Sequence, residues 1–279
     1  AIEQIPVMED RDGTFTDELR SRLLGEAHFL RAYYYFKLVR LYGDIPIVES
    51  PIYNSDEWRQ PRSSVEKVYE VIFSDLKQAE SSLILKSEYA SEELGRVTKG
   101  AAQAMLLKAY LYYGDYCKRT GNGDADSYYK EAAQWGQTFM KEQASEYSLC
   151  SNYADNFTLE GENGSESVFE VQYMSEGTSD YGEGNGFSRG TFTTILIRSR
   201  SQWFNVSGWG FNHPTQNLYD EFEDNDPRRD ASILALSDEQ ITNASEDIYL
   251  GNSFYCTKRA IMTDDRNYVS LEDSHESRS

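Results

Sequence analysis

Residues 25–48 read GEAHFLRAYYYFKLVRLYGDIPIV, and their spacing decides the fold. Counting from Leu23, apolar residues fall at Leu23, Ala27, Leu30, Tyr34, Leu38 and Leu41. Those steps of 4, 3, 4, 4 and 3 trace one face of a helix. Gly43-Asp44 stops the helix, and Pro46 prevents its resumption.

Three more helical patterns follow. A second helix opens at Ser63-Ser64, with Glu66 and Glu70 early and a stripe of Val65, Val68, Tyr69, Ile72, Leu76, Ala79 and Leu83. A third runs from about Thr98 through GAAQAMLLKAYLYY to Gly114-Asp115. A fourth covers about Ser127 to Lys141, with Tyr128, Ala132, Trp135 and Phe139 on one side and Asp126 as its cap. Starts near 64, 98 and 127 recur about every thirty residues. Small residues such as Ala32, Ala101, Ala102 and Ala109 let helices approach, and large aromatics fill the grooves. The spacing predicts a mainly α chain of stacked, tetratricopeptide-like helix pairs, without the W-LG-Y consensus of that repeat.

The texture changes near residue 145. Residues 1–144 read as the helical scaffold, 145–268 as a loop-rich ligand-binding region with minor β, and 269–279 as a polar tail. The stretch 160–190 is rich in Gly, Ser and Glu, and within it SVFEVQY (167–173) alternates like a short strand. Pro214 marks a helix start, and the short helix ends near Asp224-Asn225-Asp226-Pro227.

Composition narrows the function. The 279 residues hold 27 Lys plus Arg against 47 Asp plus Glu, a formal charge of −20. Polyanion binding needs clustered Lys and Arg, so nucleic acid is disfavoured. Docking on an anionic bilayer through a basic patch is disfavoured equally. Aromatics at 14%, with 21 Tyr and 13 Phe, set the chain apart from disordered acidic sequences. The densest apolar stretch, AMLLKAYLYY at 104–113, carries Lys108 and falls short of the ~20 apolar residues of a membrane-spanning helix.

Catalytic and metal patterns are sparse. Cys117, Cys150 and Cys256 form no CxxC, and His28, His213 and His275 form no zinc-binding spacing. Asn122, Asp124 and Asp126 resemble the start of a calcium loop, but Ser127 and Ala133 stand where that loop needs Gly and Glu. No cofactor is expected, and calcium stays an open alternative. GxSxG and GxxxxGK[ST] are both absent from the sequence. An acid-pair glycosidase needs two carboxylates at a set separation, which 47 surface-type acids do not specify.

Aromatics in polar, glycine-rich surroundings carry more. Tyr181, Phe187, Trp203, Phe204, Trp209 and Phe211 are of this kind. A flat ring stacks on the apolar face of a sugar, while neighbours such as Arg198 and Asn212 bond its hydroxyls. Trp203, Trp209, Tyr181 and Phe187, with Arg198 and Asn212, are the expected glycan-binding residues. No residue is expected to be catalytic or to bind metal.

Four strings carry a family resemblance. GEAHFLRAYYYFKLVRLYGDIPIV (25–48) resembles the signature of the SusD/RagB family of outer-membrane glycan-binding lipoproteins. GRVTKGAAQAMLLKAYLYYGD (95–115) is similar to its second helical motif, and ESVFEVQY (166–173) to the strand after its fourth helix. GWGFNHPTQNLYDEFEDNDPRRDASIL (208–234) resembles its later GWG-x-x-x-PT-x-x-L…DPRR segment. The resemblance implies a SusD-like α-α superhelix, no catalytic activity, and oligosaccharide capture at the outer face of the outer membrane. It implies a SusC-type TonB-dependent transporter as partner and a lipid anchor as the only membrane contact. A family member would also carry a signal, an anchoring cysteine and first helices before Ala1. After Asn267-Tyr268 it would continue as a helix, where this sequence reads VSLEDSHESRS. Arg31, Tyr34, Gly43, Asp44, Pro46 and Lys99 match the signature as packing, turn and capping residues. Two rival readings are a helical protein-interaction scaffold that binds no sugar and, third, the acid-pair glycosidase.

Overall fold

A computed structural model describes residues 1–10, 13–158, 160–172, 211, 214–235 and 255–257. The chain divides into two compact units, Ala1–Ser148 with Ser165–Phe169, and Leu149–Gly164 with Glu170–Ser279.

Among the described residues, the first unit holds four α-helices, α1 (Asp17–Tyr42), α2 (Val65–Ser82), α3 (Lys99–Thr120) and α4 (Ala125–Glu142). Thr16 caps α1 by accepting from Leu19 N, and Thr98 caps α3 by accepting from Ala101 N. Each helix runs back along its predecessor, because the connections return the chain to where it left. Ile45 and Ser63 exchange two backbone hydrogen bonds of 3.2 and 2.8 Å, closing the α1–α2 loop at its feet. Lys99 N donates to Ile84 O at 2.8 Å, so α3 starts beside the end of α2. Gly121 takes φ 73° at the end of α3, and four residues later α4 begins. That left-handed position suits a residue without Cβ.

The α2 stripe is buried along its whole length. Phe29, Ile72, Leu76 and Leu106 are fully enclosed, each contributing about 1.5–3 kcal/mol of transfer free energy. An aromatic ladder joins α2 to α3 and α4. Phe73 stacks on Tyr110 with centroids 4.0 Å apart, Tyr69 on Tyr113 at 4.6 Å, and Tyr128 meets Tyr113 edge-on at 4.6 Å. A buried ion cluster pins α1 to α2. Arg31 Nε and Nη2 donate to Asp75 at 2.6 and 2.7 Å, and His28 Nδ1 lies 2.6 Å from the same carboxylate.

Four expectations need correction. The face of α1 that packs is Gly25, Phe29, Ala32, Tyr35, Phe36 and Val39. The stripe read from the spacing lies opposite, with Leu30 40%, Tyr34 61%, Leu38 41% and Leu41 75% exposed. The helix is apolar on both sides, so periodicity alone could not choose. Gly114-Asp115 does not end α3; a Cβ on Gly114 would sit 2.8 Å from the Tyr129 ring, so glycine there makes room for α4. Asp124, not Asp126, caps α4 by accepting from Ser127 N at 3.3 Å. Residues 167–172 form no strand. Instead Phe169 meets Phe29 edge-on at 5.1 Å and Lys86 Nζ donates to Ser167 O at 3.1 Å, which ties this segment to the helices.

In the second unit, a 3-10 turn at Tyr153–Phe157 is capped by Asn152. Helix α5 (Gln216–Asp220) is capped by Thr215, one residue after Pro214. Helix α6 (Pro227–Ser232) has Asp226 as cap and Pro227 at its first position, the arrangement a proline tolerates best. It leads into β1 (Ile233–Ala235), which pairs antiparallel with β2 (Tyr255–Thr257) in the register Ile233 to Thr257.

Candidate functional site

The loop joining α1 to α2 is anchored at both feet and open at its tip. Gly43 ends α1 at φ 69°. Asp44 Oδ1 then accepts from Val65 N at 3.1 Å, supplying the start of α2 with a cap from across the loop. Beyond the Ile45–Ser63 bridge, the Tyr35 hydroxyl grips Val48 twice. It accepts from Val48 N at 2.7 Å and donates to Val48 O at 3.2 Å. Ser50 Oγ donates to Glu3 at 2.6 Å. The tip is a 3-10 turn at Ser55–Glu57. Gln60 Nε2 donates to Glu57 O at 2.6 Å and closes it.

Two large aromatics stand out from this loop. Tyr53 is 80% exposed and Trp58 is 71% exposed. Leaving such rings in water forgoes about 1.5–3 kcal/mol that burial of a comparable side chain would give. Beside them in the sequence are Asn54, Arg59, Gln60 and Arg62, donors suited to hydroxyl oxygens. The arrangement presents flat apolar faces beside hydrogen-bonding groups on a backbone held at both ends. Chemically it suits a polar ring with one apolar face.

Neither Tyr53 nor Trp58 was among the residues expected from sequence. Their signal is the one used for the later aromatics: large rings in a polar stretch, PIYNSDEWRQP, bounded by Pro51 and Pro61. The expected residues Trp203, Trp209, Tyr181, Phe187, Arg198 and Asn212, and Phe204 with them, lie outside the described residues. Phe211 is described and is 52% exposed.

A concavity of about 530 Å³ lies between residues 1–5, α1 and residues 48–51. Ile2, Ile5, Leu23, Leu30, Val48 and Pro51 make it largely apolar. Arg20 Nη1 holds its amino-terminal wall by donating to Ile5 O at 3.0 Å and Met8 O at 2.7 Å. Glu26 also lines it, and burial pushes that carboxyl above the usual range despite Arg96 and Arg22 beside it. Its Oε2 accepts from Arg96 at 2.8 Å, so the group is tied into an ion network with Arg22 and Glu93. Among the described residues, no group of three His, Cys, Asp or Glu could hold a metal ion, and no helix is long and apolar enough to cross a membrane.

Comparison with known proteins bears on this geometry. Residues 1–111 match the SusD-like_3 family, described as starch-binding and associating with the outer membrane. The SusD-like protein P38 of Formosa agariphila is 27% identical over 178 residues, 63% of this chain and 32% of that protein. The starch-binding protein SusD of Bacteroides thetaiotaomicron is 25% identical over 170 residues, 61% of this chain and 28% of that protein. The chain thus aligns with roughly a third of the length of these curated relatives. A solved laminarin-binding SusD-like protein superposes with a TM-score of 0.79 at 25% identity, covering 99% of this chain and 59% of that one.

Proposed function

We propose that the chain is a member of the SusD-like family, which residues 1–111 match, and that it captures glycans at the cell surface without cutting them. The observation that carries this reading is the pinned α1–α2 loop with Tyr53 and Trp58 held out to solvent. Ring stacking on these aromatics gives affinity, and hydrogen bonds from Asn54 and Gln60 to sugar hydroxyls orient the ligand. Trp203, Trp209, Tyr181 and Phe187, with Arg198 and Asn212, remain proposed as further contacts.

The finer parts of the proposal rest on family membership. The protein works on the outer face of the outer membrane, held by a lipid anchor, and delivers oligosaccharide to a SusC-type TonB-dependent transporter. The open apolar face of α1, with Leu30, Tyr34, Leu38 and Leu41, supports a protein contact on the helical unit. The same face is what favours the alternative of an interaction scaffold without sugar.

Native affinity electrophoresis through gels containing single polysaccharides tests the proposal. Laminarin comes first, because a related structure carries that name. Retardation by one polysaccharide, with its chain length unchanged on recovery, is the expected result. Shortened glycan would establish hydrolysis instead, and no retardation by any glycan would favour the scaffold.

A further inference from the structure

We propose that the Tyr53–Trp58 site takes a neutral glycan and turns away chains bearing uronate or sulfate; this rests on the capture role proposed above. The charges around the loop carry the argument. Glu57 shapes the tip next to Trp58, with its Oε1 3.4 Å from Asn54 Nδ2. Glu49 and Glu3 stand at one foot, Glu3 bound to Ser50 at 2.6 Å. Asp44 accepts from Val65 N at 3.1 Å where the loop enters α2, and Glu66 lies in the first turn of that helix. Glu66 is held below the usual carboxylate range by hydrogen bonds from Ser64 and its own backbone N–H, so it stays ionised at neutral pH.

Within the loop the cations are Arg59 and Arg62, both exposed, and on α2 the exposed Lys67 follows Glu66. On α1, Arg31 is committed to Asp75, and Arg40 lies over the Phe36 and Tyr112 rings. Within residues 43–64 four carboxylates, Asp44, Glu49, Asp56 and Glu57, stand against the two guanidiniums of Arg59 and Arg62, so the loop is net negative in a chain whose total is −20. Unit charges attract or repel by about 1 kcal/mol at 4 Å in water and less with distance. Screening cuts this over a length of ~8 Å at physiological salt. A polyanion brings several charges within that range at once, so the repulsion adds along its chain. A neutral sugar meets none of it and keeps the stacking and the hydroxyl bonds.

The test runs the 279-residue chain on native gels with laminarin, starch and a neutral galactomannan, and with alginate and a sulfated fucan, each at ~20 mM and ~300 mM salt. At the lower salt the Debye length is ~20 Å or more, so repulsion is at its strongest. The expected result is retardation by a neutral glycan with affinity changing less than two-fold between the salts. Alginate and the fucan are expected to bind at least ten-fold more weakly at low salt. Retardation by either anionic glycan, strengthened at low salt and lost in Arg59→Gln/Arg62→Gln, would overturn this inference while leaving glycan capture standing. No retardation by any glycan would overturn both.

Discussion

Replacing Asp75 by Asn is expected to destabilise the helical unit by about 3–5 kcal/mol, the range for a buried ion pair that loses one partner. The Asp75 side chain is 2% exposed, and it receives Arg31 Nε, Arg31 Nη2 and His28 Nδ1 within 2.7 Å. Arg31 is itself 21% exposed, and its guanidinium is pushed further up by the hydrogen bond to Asp75. An Asn at 75 keeps one acceptor oxygen but turns an NH2 towards donors, leaving the guanidinium without a counter-charge. For a unit of this size, 1 kcal/mol shifts the melting temperature by roughly 2–4 °C. The expected loss is therefore about 6–20 °C, read by circular dichroism at 222 nm and by urea titration. The triple variant His28→Phe, Arg31→Met, Asp75→Leu should be less destabilised than Asp75→Asn alone, because no charge is stranded. An Asp75→Asn protein within about 1 kcal/mol of the parent would refute this account of the cluster.

Three further outcomes are expected. Burial pushes the Tyr69 hydroxyl up to about 12 and raises Tyr89, Tyr113 and Tyr147 as well. Folding therefore favours the protonated phenols, a stability fully present below the unfolded value near 10 and lost as pH rises towards 12; absorbance at 295 nm and helix content should change together in that window. In Gly25→Ala, the new Cβ lies 2.9 Å from Ser82 Cβ. Overpacking of about 1–3 kcal/mol should outweigh the ~1 kcal/mol gain in helix propensity, lowering the urea midpoint. Tyr35→Phe removes the hydroxyl that grips Val48; about 1 kcal/mol should be lost, amides near Val48 should exchange faster, and glycan affinity should fall several-fold.

The helical scaffold was legible where one face is apolar and the other is not. The α2 stripe from Val65 to Leu83 needed no tertiary information, since every member is buried. Helix α1 was legible as a helix but not in its orientation, because Phe29, Phe36 and Val39 mark one side as strongly as Leu30, Leu38 and Leu41 mark the other. Gly114 misled because a glycine costs a helix only about 1 kcal/mol, and here its missing side chain admits Tyr129. SVFEVQY misled because alternation is local while a strand needs a partner to bond. The site was hidden for a related reason. Tyr53 and Trp58 follow no period, and what distinguishes them is exposure on a loop whose feet are fixed by Tyr35, Asp44 and the Ile45–Ser63 bridge. Those contacts span 13 to 21 residues, beyond the reach of a spacing argument.

The most direct test of the central claim is calorimetric titration of the chain, and of Trp58→Ala, with the polysaccharide that retards it most. Loss of a stacking aromatic exposed to solvent should weaken binding by at least ten-fold, about 1.4 kcal/mol, with the melting temperature unchanged. Equal affinity of the two proteins would contradict the placement of the glycan site on the α1–α2 loop.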